Sequence, residues 1–387
     1  FPNGGLSTTP GTLRIRIRTR LVALLLASNI IPLISILQHL GGASAADEAS
    51  LPSMEQLRVI VSGEVFVFMG VGMWLTFLVS SNLTQPLAEI TKVLRGVKNG
   101  LFETKVRVTS NDEIGYAGDA INEMTEGLLE RDRIKQALTL AKEVQQSLFP
   151  KQALKTDEFE AAGRSIYCDE TGGDYYDFIP MAGSDGPKWG VAVGDVSGHG
   201  IPAALLMATV RSALRQRASH PGSAGRIIAD VNRQITSDVG HSGEFITMFF
   251  LVIDPVKMEL EWVRAGHDPA LLYDPGTDSF AEPGGTGLAM GIDEKCRFSG
   301  HRRAGILPGQ VILLGTDGLW EAANPKGEML GKQPIYNTIR ENCALSANAI
   351  LESILASLEK FQADAKREDD VTLVIIKVND AAQRLRN

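Results

Sequence analysis

Cysteine is scarce in this sequence. Only three cysteines occur among 387 residues, and Cys168, Cys296 and Cys343 lie far apart. None has the CxxC spacing that is typical of a zinc site or a redox motif. A disulfide framework would also need a higher density of cysteines in a small secreted domain. We therefore expect buried or free thiols in a reducing compartment.

A basic excess is absent as well. The chain carries 38 Lys and Arg against 46 Asp and Glu, so its formal net charge is −8. A nucleic-acid binder needs a basic face toward the phosphate backbone, and this class is therefore excluded. The length predicts two or three domains, and a hydrophobic fraction of 44% is sufficient for a buried core.

Long apolar runs are confined to the start of the chain. Residues 21–40 and 59–83 each have roughly the 20 apolar residues that a membrane-spanning helix needs. Four arginines precede the first run, and acidic residues lie between the two runs: Arg14, Arg16, Arg18 and Arg20, then Asp47, Glu48 and Glu55. The positive-inside rule places the arginines and everything after residue 83 in the cytoplasm. We therefore predict an all-α anchor over residues 1–83 that is integral to a membrane.

Two other interpretations of these runs remain open. A signal peptide also has basic residues, an apolar run and a small-residue stretch such as residues 43–46, but its removal would leave the second run. A buried hairpin of a soluble protein is the other interpretation. Glu64 lies within the second run and is a functional candidate as an ionisable residue in a membrane, although its position also allows the side chain to reach the interface.

The segment after the second run has two helical stripes separated by an extended connector. We expect Pro86 to end the membrane helix or to begin a new one. The stripes consist of Leu87, Ile90, Val93 and Leu94, then Ile114, Ala117, Ile121, Met124 and Leu128. Two short amphipathic helices cannot bury these faces alone, so the pattern indicates a dimeric four-helix bundle.

Residues 84–131 resemble a HAMP domain, the signal converter that follows membrane spans in receptors. The resemblance rests on Pro86-Leu87, on Asp112-Glu113-Ile114-Gly115 and on Asn122-Glu123-Met124. A plain membrane-proximal helical hairpin is the alternative. Residues 132–150 continue as a helix with heptad spacing, which predicts a coiled-coil linker and a parallel homodimer. The predicted seam consists of Ile134, Ala137, Ala141, Val144 and Leu148.

Strands replace the helical stripes from about residue 157. Apolar runs predict strands over residues 189–196, 244–254, 259–265, 270–273, 310–316 and 371–378. Links as short as DPVK and GHDP require antiparallel hairpins, which argues against a Rossmann-type parallel sheet. Predicted helices flank the strands at residues 201–219, 223–238 and 344–363. The fold class expected for residues 151–380 is therefore α+β, with antiparallel sheets covered by helices.

Acidic residues stand at four of the predicted strand ends. They are Asp174 and Asp177 in GGDYYD, Asp195 in GDVSGHG, Asp317 in TDG, and Asp369 and Asp370 in REDD. Each acid alone could belong to a turn or to a solvated strand end. Together they favour a site for hard divalent cations, which bind carboxylate and carbonyl oxygens and make a cluster of like charges tolerable.

Five motifs occur in the order GGDYYD, GDVSGHG, AGHDP, TDGLWE and DDVT. They resemble the motifs of metal-dependent serine/threonine protein phosphatases of the PPM type. Their spelling is similar to that of the bacterial SpoIIE-like branch, which acts in sigma-factor control. The resemblance covers roughly residues 140–378. It implies an αββα sandwich with two Mn2+ or Mg2+ ions between the sheets.

Carried over residue by residue, the resemblance implies a role for five residues. Asp195 would bridge both cations, and the backbone carbonyl of Val196 would complete the second site. Asp317 and Asp369 would hold the first cation. Asp174 would bind the second cation, directly or through water. In two-metal hydrolases such ions activate a water molecule for in-line attack on phosphorus.

Other polar residues near these motifs have less certain roles. His199 is a candidate general acid for the leaving serine or threonine oxygen, and a structural histidine at a helix N-terminus is the alternative. His267 is expected to stabilise a turn, and Arg164 is the nearest candidate for a phosphate-gripping arginine. Asp370 stands where many relatives carry Asn.

The leading hypothesis is a signal-regulated phosphatase anchored in a bacterial cytoplasmic membrane, with its catalytic domain in the cytoplasm. The resemblance implies a small phosphorylated regulatory protein as substrate, typically an anti-sigma-factor antagonist. A catalytically inactive receptor-like scaffold is the alternative. A HAMP-linked kinase or cyclase is disfavoured because no glycine-rich phosphate loop or kinase histidine box follows the linker.

Overall fold

The computed structural model of the chain describes residues 16–45, 53–181, 186–240 and 243–379. The chain divides into two compact units, an N-terminal unit of residues 1–136 and a C-terminal unit of residues 137–387. Parts of the predicted membrane anchor, namely Arg14, Asp47 and Glu48, lie outside the described residues.

Two long apolar helices begin the N-terminal unit. Helix α1 comprises Ile17–Ala45 and helix α2 comprises Met54–Lys98. Each contains a window that is long and apolar enough to cross a membrane, and none of either window is buried. A hairpin in the core of a soluble protein would bury these side chains, so the structure contradicts that interpretation.

Pro86 neither ends nor begins a helix, although the sequence predicted one or the other. Helix α2 continues through it as far as Lys98. A proline removes one backbone hydrogen bond, here the one to the carbonyl of Asn82. The helical turns on both sides persist, and the hydroxyl of Thr84 donates to the carbonyl of Ser80 over 2.7 Å. The loss of a single bond is therefore too small to break a helix of 45 residues.

Helix α3 runs from Glu113 to Leu148. The helix of the second stripe therefore continues without a break through the residues of the predicted linker, as the sequence indicated. Asp112 caps its start, because Oδ1 accepts hydrogen bonds from the backbone N–H groups of Ile114 and Gly115. The first part of the DEIG motif therefore acts as a helix cap.

The extended connector joins the two helices of the N-terminal unit through a small core. The Asn122 side chain makes two hydrogen bonds to the backbone of Val106, of 2.7 and 2.9 Å. Ile90, Val93 and Val106 are buried together, and part of the second stripe packs on them. Other members of the predicted stripes remain exposed, namely Leu87, Leu94 and Met124.

The C-terminal unit contains two sheets and four helices that follow α3. In chain order these elements are β1 Leu154–Lys155, β2 Phe159–Ile166, β3 Tyr175–Met181, β4 Lys188–Val196, α4 Gly200–Ala218, α5 Ala224–Val239, β5 Ile246–Asp254, β6 Glu259–Ala265, β7 Leu271–Asp274, β8 Ser279–Ala281, β9 His301–Ala304, β10 Val311–Gly315, α6 Lys332–Asn342, α7 Ala347–Gln362 and β11 Val371–Val378.

The first sheet has the strand order β1-β2-β11-β10-β7-β8, and the second has the order β3-β4-β5-β6-β9. All nine pairings between these strands are antiparallel, as the short links predicted. One apolar core, which includes Phe249 and Val374, lies between the sheets. Helices α4 and α5 cover the outer face of the second sheet, and helices α6 and α7 cover that of the first. The predicted arrangement of two sheets covered by helices is confirmed.

The strands that were not predicted from the sequence are β1, β2, β3, β8 and β9, and helix α6 was not predicted either. Strand β2 reads FEAAGRSI and has only one β-branched residue, Ile166, at its end. Its small residues fit the space that the Tyr176 ring leaves, because a Cβ atom on Gly163 would lie 2.4 Å from that ring. The Tyr176 hydroxyl also donates to the Gly163 carbonyl over 3.0 Å.

Asp177 forms a buried ion pair that attaches α4 to the second sheet. Its side chain is fully buried, and Arg215 donates to both carboxylate oxygens over 2.5 and 2.6 Å. The Tyr175 hydroxyl and the Phe178 N–H also donate to it, each over 2.9 Å. Asp177, one of the acids noted at the predicted strand ends, is therefore neutralised within the fold.

We expect Asp177→Asn to lower the free energy of unfolding of the C-terminal unit. The loss should be about 2–3 kcal/mol, below the range for a fully buried pair, because the Arg215 side chain is 38% exposed. Urea unfolding of the full chain in detergent, followed by tryptophan fluorescence, measures it. Asp278→Asn is the matched control, since Asp278 pairs with Arg340 at the surface and is 61% exposed. Equal midpoints for the two variants would contradict the structural role of Asp177.

Candidate active site

Two acids lie at one end of the second sheet. Asp195 is the penultimate residue of β4, and Asp174 directly precedes β3. The register pairs Tyr175 with Gly194, so both acids belong to the same sheet end. The backbone carbonyl of Val196 also lies there, since a Cβ atom on Gly173 would come within 2.6 Å of its oxygen.

The remaining acids lie at the matching end of the first sheet. Strands β10 and β11 pair with Gly315 opposite Leu373, so Asp317 follows one strand where Asp369 precedes the other. The turn after β10 lies directly against the start of β11. A Cβ atom on Gly318 would lie 2.0 Å from the Asp370 carbonyl and 3.5 Å from the Asp369 Cβ, so this close approach requires a glycine.

A hydroxyl connects the two sheet ends. Thr316 donates from Oγ1 to Oδ2 of Asp174 over 2.9 Å, across the gap between the sheets. The structure therefore brings together the predicted ligands of both sheets: Asp174, Asp195, the Val196 carbonyl, Asp317 and Asp369.

The four carboxylates disturb one another's ionisation. Burial raises the pKa of Asp174 well above its ordinary value, and the charge of Asp195 adds to the shift. Burial also raises the pKa of Asp195 to about 7, with further contributions from Asp317 and Asp369. The pKa values of Asp317 and Asp369 are raised in the same way, first by burial and then by a neighbouring aspartate. This pattern is typical of a functional site and not of a solvated turn.

The donor set fits hard divalent cations. Among the described residues, no ion pair to Lys, Arg or His neutralises any of these four carboxylates. Carboxylate and carbonyl oxygens are the ligands that Mg2+ and Mn2+ prefer, and a bound cation would remove the repulsion between the acids.

The acids do not yet have the spacing of a finished metal site. No group of three or more His, Cys, Asp or Glu side chains within the described ranges is arranged to hold a metal ion as it stands. In three of the carboxylates, one oxygen instead accepts a hydrogen bond from a donor of the protein. Asp174 accepts from Thr316, Asp317 from the Gly318 N–H, and Asp369 from the N–H of its neighbour.

Asp370 accepts hydrogen bonds from different donors than Asp369 does. Its Oδ1 accepts from the N–H of Cys168 over 2.8 Å, and its Oδ2 accepts from the N–H of Gly173 over 3.0 Å. Both oxygens therefore hold the loop that leads to Asp174. The side chain of Gln145 in α3 contacts the same loop, because it donates to the Gly172 carbonyl over 2.6 Å.

His199 is the N-cap residue of α4, but its side chain makes no capping hydrogen bond. It is 83% exposed, and its Nδ1 lies 3.6 Å from a carboxylate oxygen of Asp169. The position agrees with the helix N-terminus in the structural alternative. The lack of a cap bond leaves the ring accessible to a ligand at the end of β4.

His267 connects the two sheets and does more than stabilise a turn. Its Nδ1 accepts from the Thr247 hydroxyl over 2.8 Å, and its Nε2 donates to the Gly315 carbonyl over 3.1 Å, which defines the tautomer. Thr247 pairs with Asp195 in the second sheet, and Gly315 ends β10. Burial lowers the pKa of His267 to about 4, so the ring is neutral at pH 7.

Arg164 does not face the acids. It lies on β2 and forms an ion pair with Glu352 of α7, the helix that covers the outer face of the first sheet. The expectation of a phosphate-gripping arginine at this position is wrong. Alternation along β2 explains the error, because its neighbour Gly163 faces Tyr176 in the space between the sheets.

The sequence alone did not identify Thr316 and Gln145 as site residues. Thr316 lies inside the TDG motif, and its side chain could have been noticed there as a possible donor. Gln145 lies in the linker helix, where heptad spacing carries no sign of a contact with the loop before Asp174.

Comparison with known proteins shows the family to which this chain belongs. The profile of one protein family, described as Stage II sporulation protein E (SpoIIE), matches residues 185–379, half of the chain. The chain belongs to the SpoIIE family. It is a metal-dependent phosphoprotein phosphatase, a hydrolase.

The sequence identity to individual relatives is low, between 20% and 29% for the three described here. Phosphoserine phosphatase RsbU of Bacillus subtilis is 29% identical over 253 residues, which cover 64% of this chain and 71% of that protein. Protein IcfG of Synechocystis is 24% identical over 352 residues, which cover 81% of this chain and 54% of that protein. The solved SiaA-PP2C domain of Pseudomonas aeruginosa superposes with a TM-score of 0.55 at 20% identity, over 64% of this chain and 98% of that domain. That similarity supports the two-sheet phosphatase fold.

We expect Asp370→Asn to loosen the loop that leads to Asp174. A carboxamide offers one acceptor oxygen in place of two, so one of the two bonds to backbone N–H groups is lost. Hydrogen exchange of peptides spanning residues 167–174 in the full chain should become at least about fivefold faster, since a lost bond to a charged group is worth about 1.5–3 kcal/mol.

Asp369→Asn is the matched control for this experiment. Asp369 accepts only from the N–H of its own neighbour and does not contact the loop. Exchange at residues 167–174 should stay at the wild-type rate in this variant. Unchanged exchange in Asp370→Asn would contradict the anchoring role.

Proposed function

We propose that this phosphatase is anchored in a bacterial cytoplasmic membrane, is regulated by a signal, and removes phosphate from serine or threonine of a small regulatory protein. The convergence of four carboxylates from two sheets carries the catalytic part of the proposal. Such a set of oxygen ligands suits phosphate-ester hydrolysis with two divalent cations.

We assign the residues of the site as follows. Asp195 would contribute to holding both Mn2+ or Mg2+ ions, and Asp317 and Asp369 would hold the first of them. Asp174, directly or through water, and the carbonyl of Val196 would hold the second. When bound, the ions would activate water and offset negative charge on the phosphoryl oxygens.

His199 is the proposed proton donor to the leaving oxygen. The exposed ring at the start of α4 follows Asp195 by only four residues and is reachable from solvent.

The names of two relatives support the choice of substrate. RsbU and RsbP of Bacillus subtilis are both named phosphoserine phosphatases, and RsbP is 23% identical over 248 residues. The sigma-factor control attributed to the SpoIIE-like branch favours an anti-sigma-factor antagonist as the phosphorylated protein.

The membrane anchor rests on α1 and α2. Both are long, apolar and exposed along their most apolar windows. The basic residues before the first apolar run favour an orientation with the C-terminal unit in the cytoplasm. Residues 84–131 resemble a HAMP domain, and the core of Ile90, Val93 and Val106 would be one half of its four-helix bundle.

The proposal of a parallel dimer rests on the exposed seam residues of α3. Ile134, Ala137 and Val144 are exposed, and Ala141 is half-buried. Leu148, the last predicted seam residue, packs against the core beneath α4 and α5, so the seam ends before it. An exposed apolar stripe at heptad spacing is stable only when a second helix covers it.

The two-cation site is tested by replacing its acids. Asp195→Asn preserves the shape of the side chain but loses the charge that holds two cations. Turnover should fall about a thousandfold or more, as expected when a metal that activates water is lost. Asp317→Asn and Asp369→Asn should behave alike, and His199→Ala should cost about a hundredfold if it is the acid.

The measurement is Mn2+-dependent phosphate release from a phosphoserine protein by the full chain in detergent. Asp254→Asn is the control, because Asp254 ends β5 far from the acids and pairs with Lys188. This variant should stay near wild-type turnover. Near-normal turnover in Asp195→Asn would show that the corner after β4 is an ordinary turn.

The dimer is tested at the centre of the seam. Ala141→Asp places two like charges in the predicted interface, so the dimer should dissociate and regulation by the membrane segments should be lost. Light scattering of the full chain in nanodiscs measures the mass. Gln146→Asp introduces the same charge at the heptad position farthest from the seam and should remain dimeric. A wild-type monomer at tens of micromolar would contradict the proposal.

A further inference from the structure

Thr316 has an unusual position relative to the two proposed cation sites. Its backbone continues directly into Asp317, a ligand of the first site. Its side chain reaches across to Asp174, a ligand of the second site, over 2.9 Å. Both Thr316 and Asp174 are 1% exposed, so water does not compete for this contact.

The surrounding backbone fixes the direction of the Thr316 hydroxyl. Its oxygen accepts from the N–H of Thr372 over 3.0 Å, and the Thr316 N–H donates to the Thr372 carbonyl over 3.0 Å. The Thr316 amide and side-chain oxygen are thereby held against β11. The hydroxyl has one proton, and the short contact with Asp174 is where that proton goes, since the alternative acceptor, the Thr372 carbonyl, lies 3.4 Å away.

A fixed donor on one carboxylate oxygen has two effects on a ligand. It sets the plane of the carboxylate, and it leaves the remaining lone pairs of the carboxylate for a cation. It also stabilises the charged carboxylate in a place from which water is excluded. Outer-shell partners of this kind commonly determine how well a ligand binds its metal.

We propose that Thr316 is a positioning residue for the second cation, which it serves through Asp174 without touching the cation or the substrate. This inference rests on the proposed two-cation site. It assigns a function to the threonine of the TDG motif, and it ties the geometry of the second site to the strand that carries a ligand of the first.

Mn2+ binding without substrate tests the inference. The free Mn2+ signal in electron paramagnetic resonance gives the number of bound ions and their affinities for the full chain in detergent. Thr316→Val keeps the shape and removes the hydroxyl. Its affinity for one ion should fall about 10–100-fold, while the affinity for the other stays within about twofold. Thr316→Ser should restore both ions.

Two comparisons make the result specific. Thr236→Val is the matched control, because Thr236 lies on α5 and donates to the carbonyl of Asn232 over 2.8 Å, away from the acids. It should bind both ions as the wild type does. In turnover assays at saturating Mn2+, Thr316→Val should recover much of its kcat, because the defect lies in the Mn2+ concentration required.

Each other outcome overturns the inference. Unchanged affinities in Thr316→Val would show that the hydroxyl does not position Asp174. Equal losses at both ions, or no rescue by Thr316→Ser, would indicate a general packing role. If Thr316→Val and Thr316→Ala fail to fold while Thr316→Ser folds, the hydroxyl serves folding and not cation binding. A wild-type chain that binds no Mn2+ would instead contradict the proposed function itself.

Discussion

Repulsion between buried carboxylates is the constraint on which the rest of this structure depends. Four aspartates from two sheets lie close enough to raise one another's pKa values, in surroundings that already disfavour charge. Such a cluster is unfavourable unless cations share it. The fold must therefore provide rigid strands that keep the acids together, and this requirement explains why they sit at strand ends and not on long loops.

In the motif GGDYYD, two aspartates that lie three residues apart have different binding partners. Asp177 points toward α4 and meets Arg215, so its charge is neutralised within the fold. Asp174 meets threonine hydroxyls and, among the described residues, no cationic side chain, so the fold does not neutralise it with an ion pair. Burial is nearly complete for both. The chemistry of the partner, and not the depth of burial, separates the structural acid from the functional one.

Sequence reasoning located the acids well because turns with glycine and aspartate at strand ends have a strong local signal. It located strands poorly where packing overrides propensity, as in β2, whose small residues suit the ring of Tyr176. It misplaced Arg164 because the side of the sheet that a residue faces depends on strand register, which no local pattern reveals. It placed the end or the start of a helix at Pro86 because the local cost of a proline is visible in the sequence, whereas the stability of the surrounding 45-residue helix is not.

Asp370 also has a consequence for how this family can vary. A carboxylate accepts at both of its terminal atoms, and here both face backbone N–H groups of one loop. A carboxamide, which the resemblance to PPM phosphatases implies for many relatives at this position, accepts at one atom and donates at the other. The loop of such a relative must therefore turn a carbonyl toward the place where Cys168 or Gly173 presents its N–H. We therefore expect the residue at position 370 and the conformation of the loop at residues 168–173 to change together in evolution.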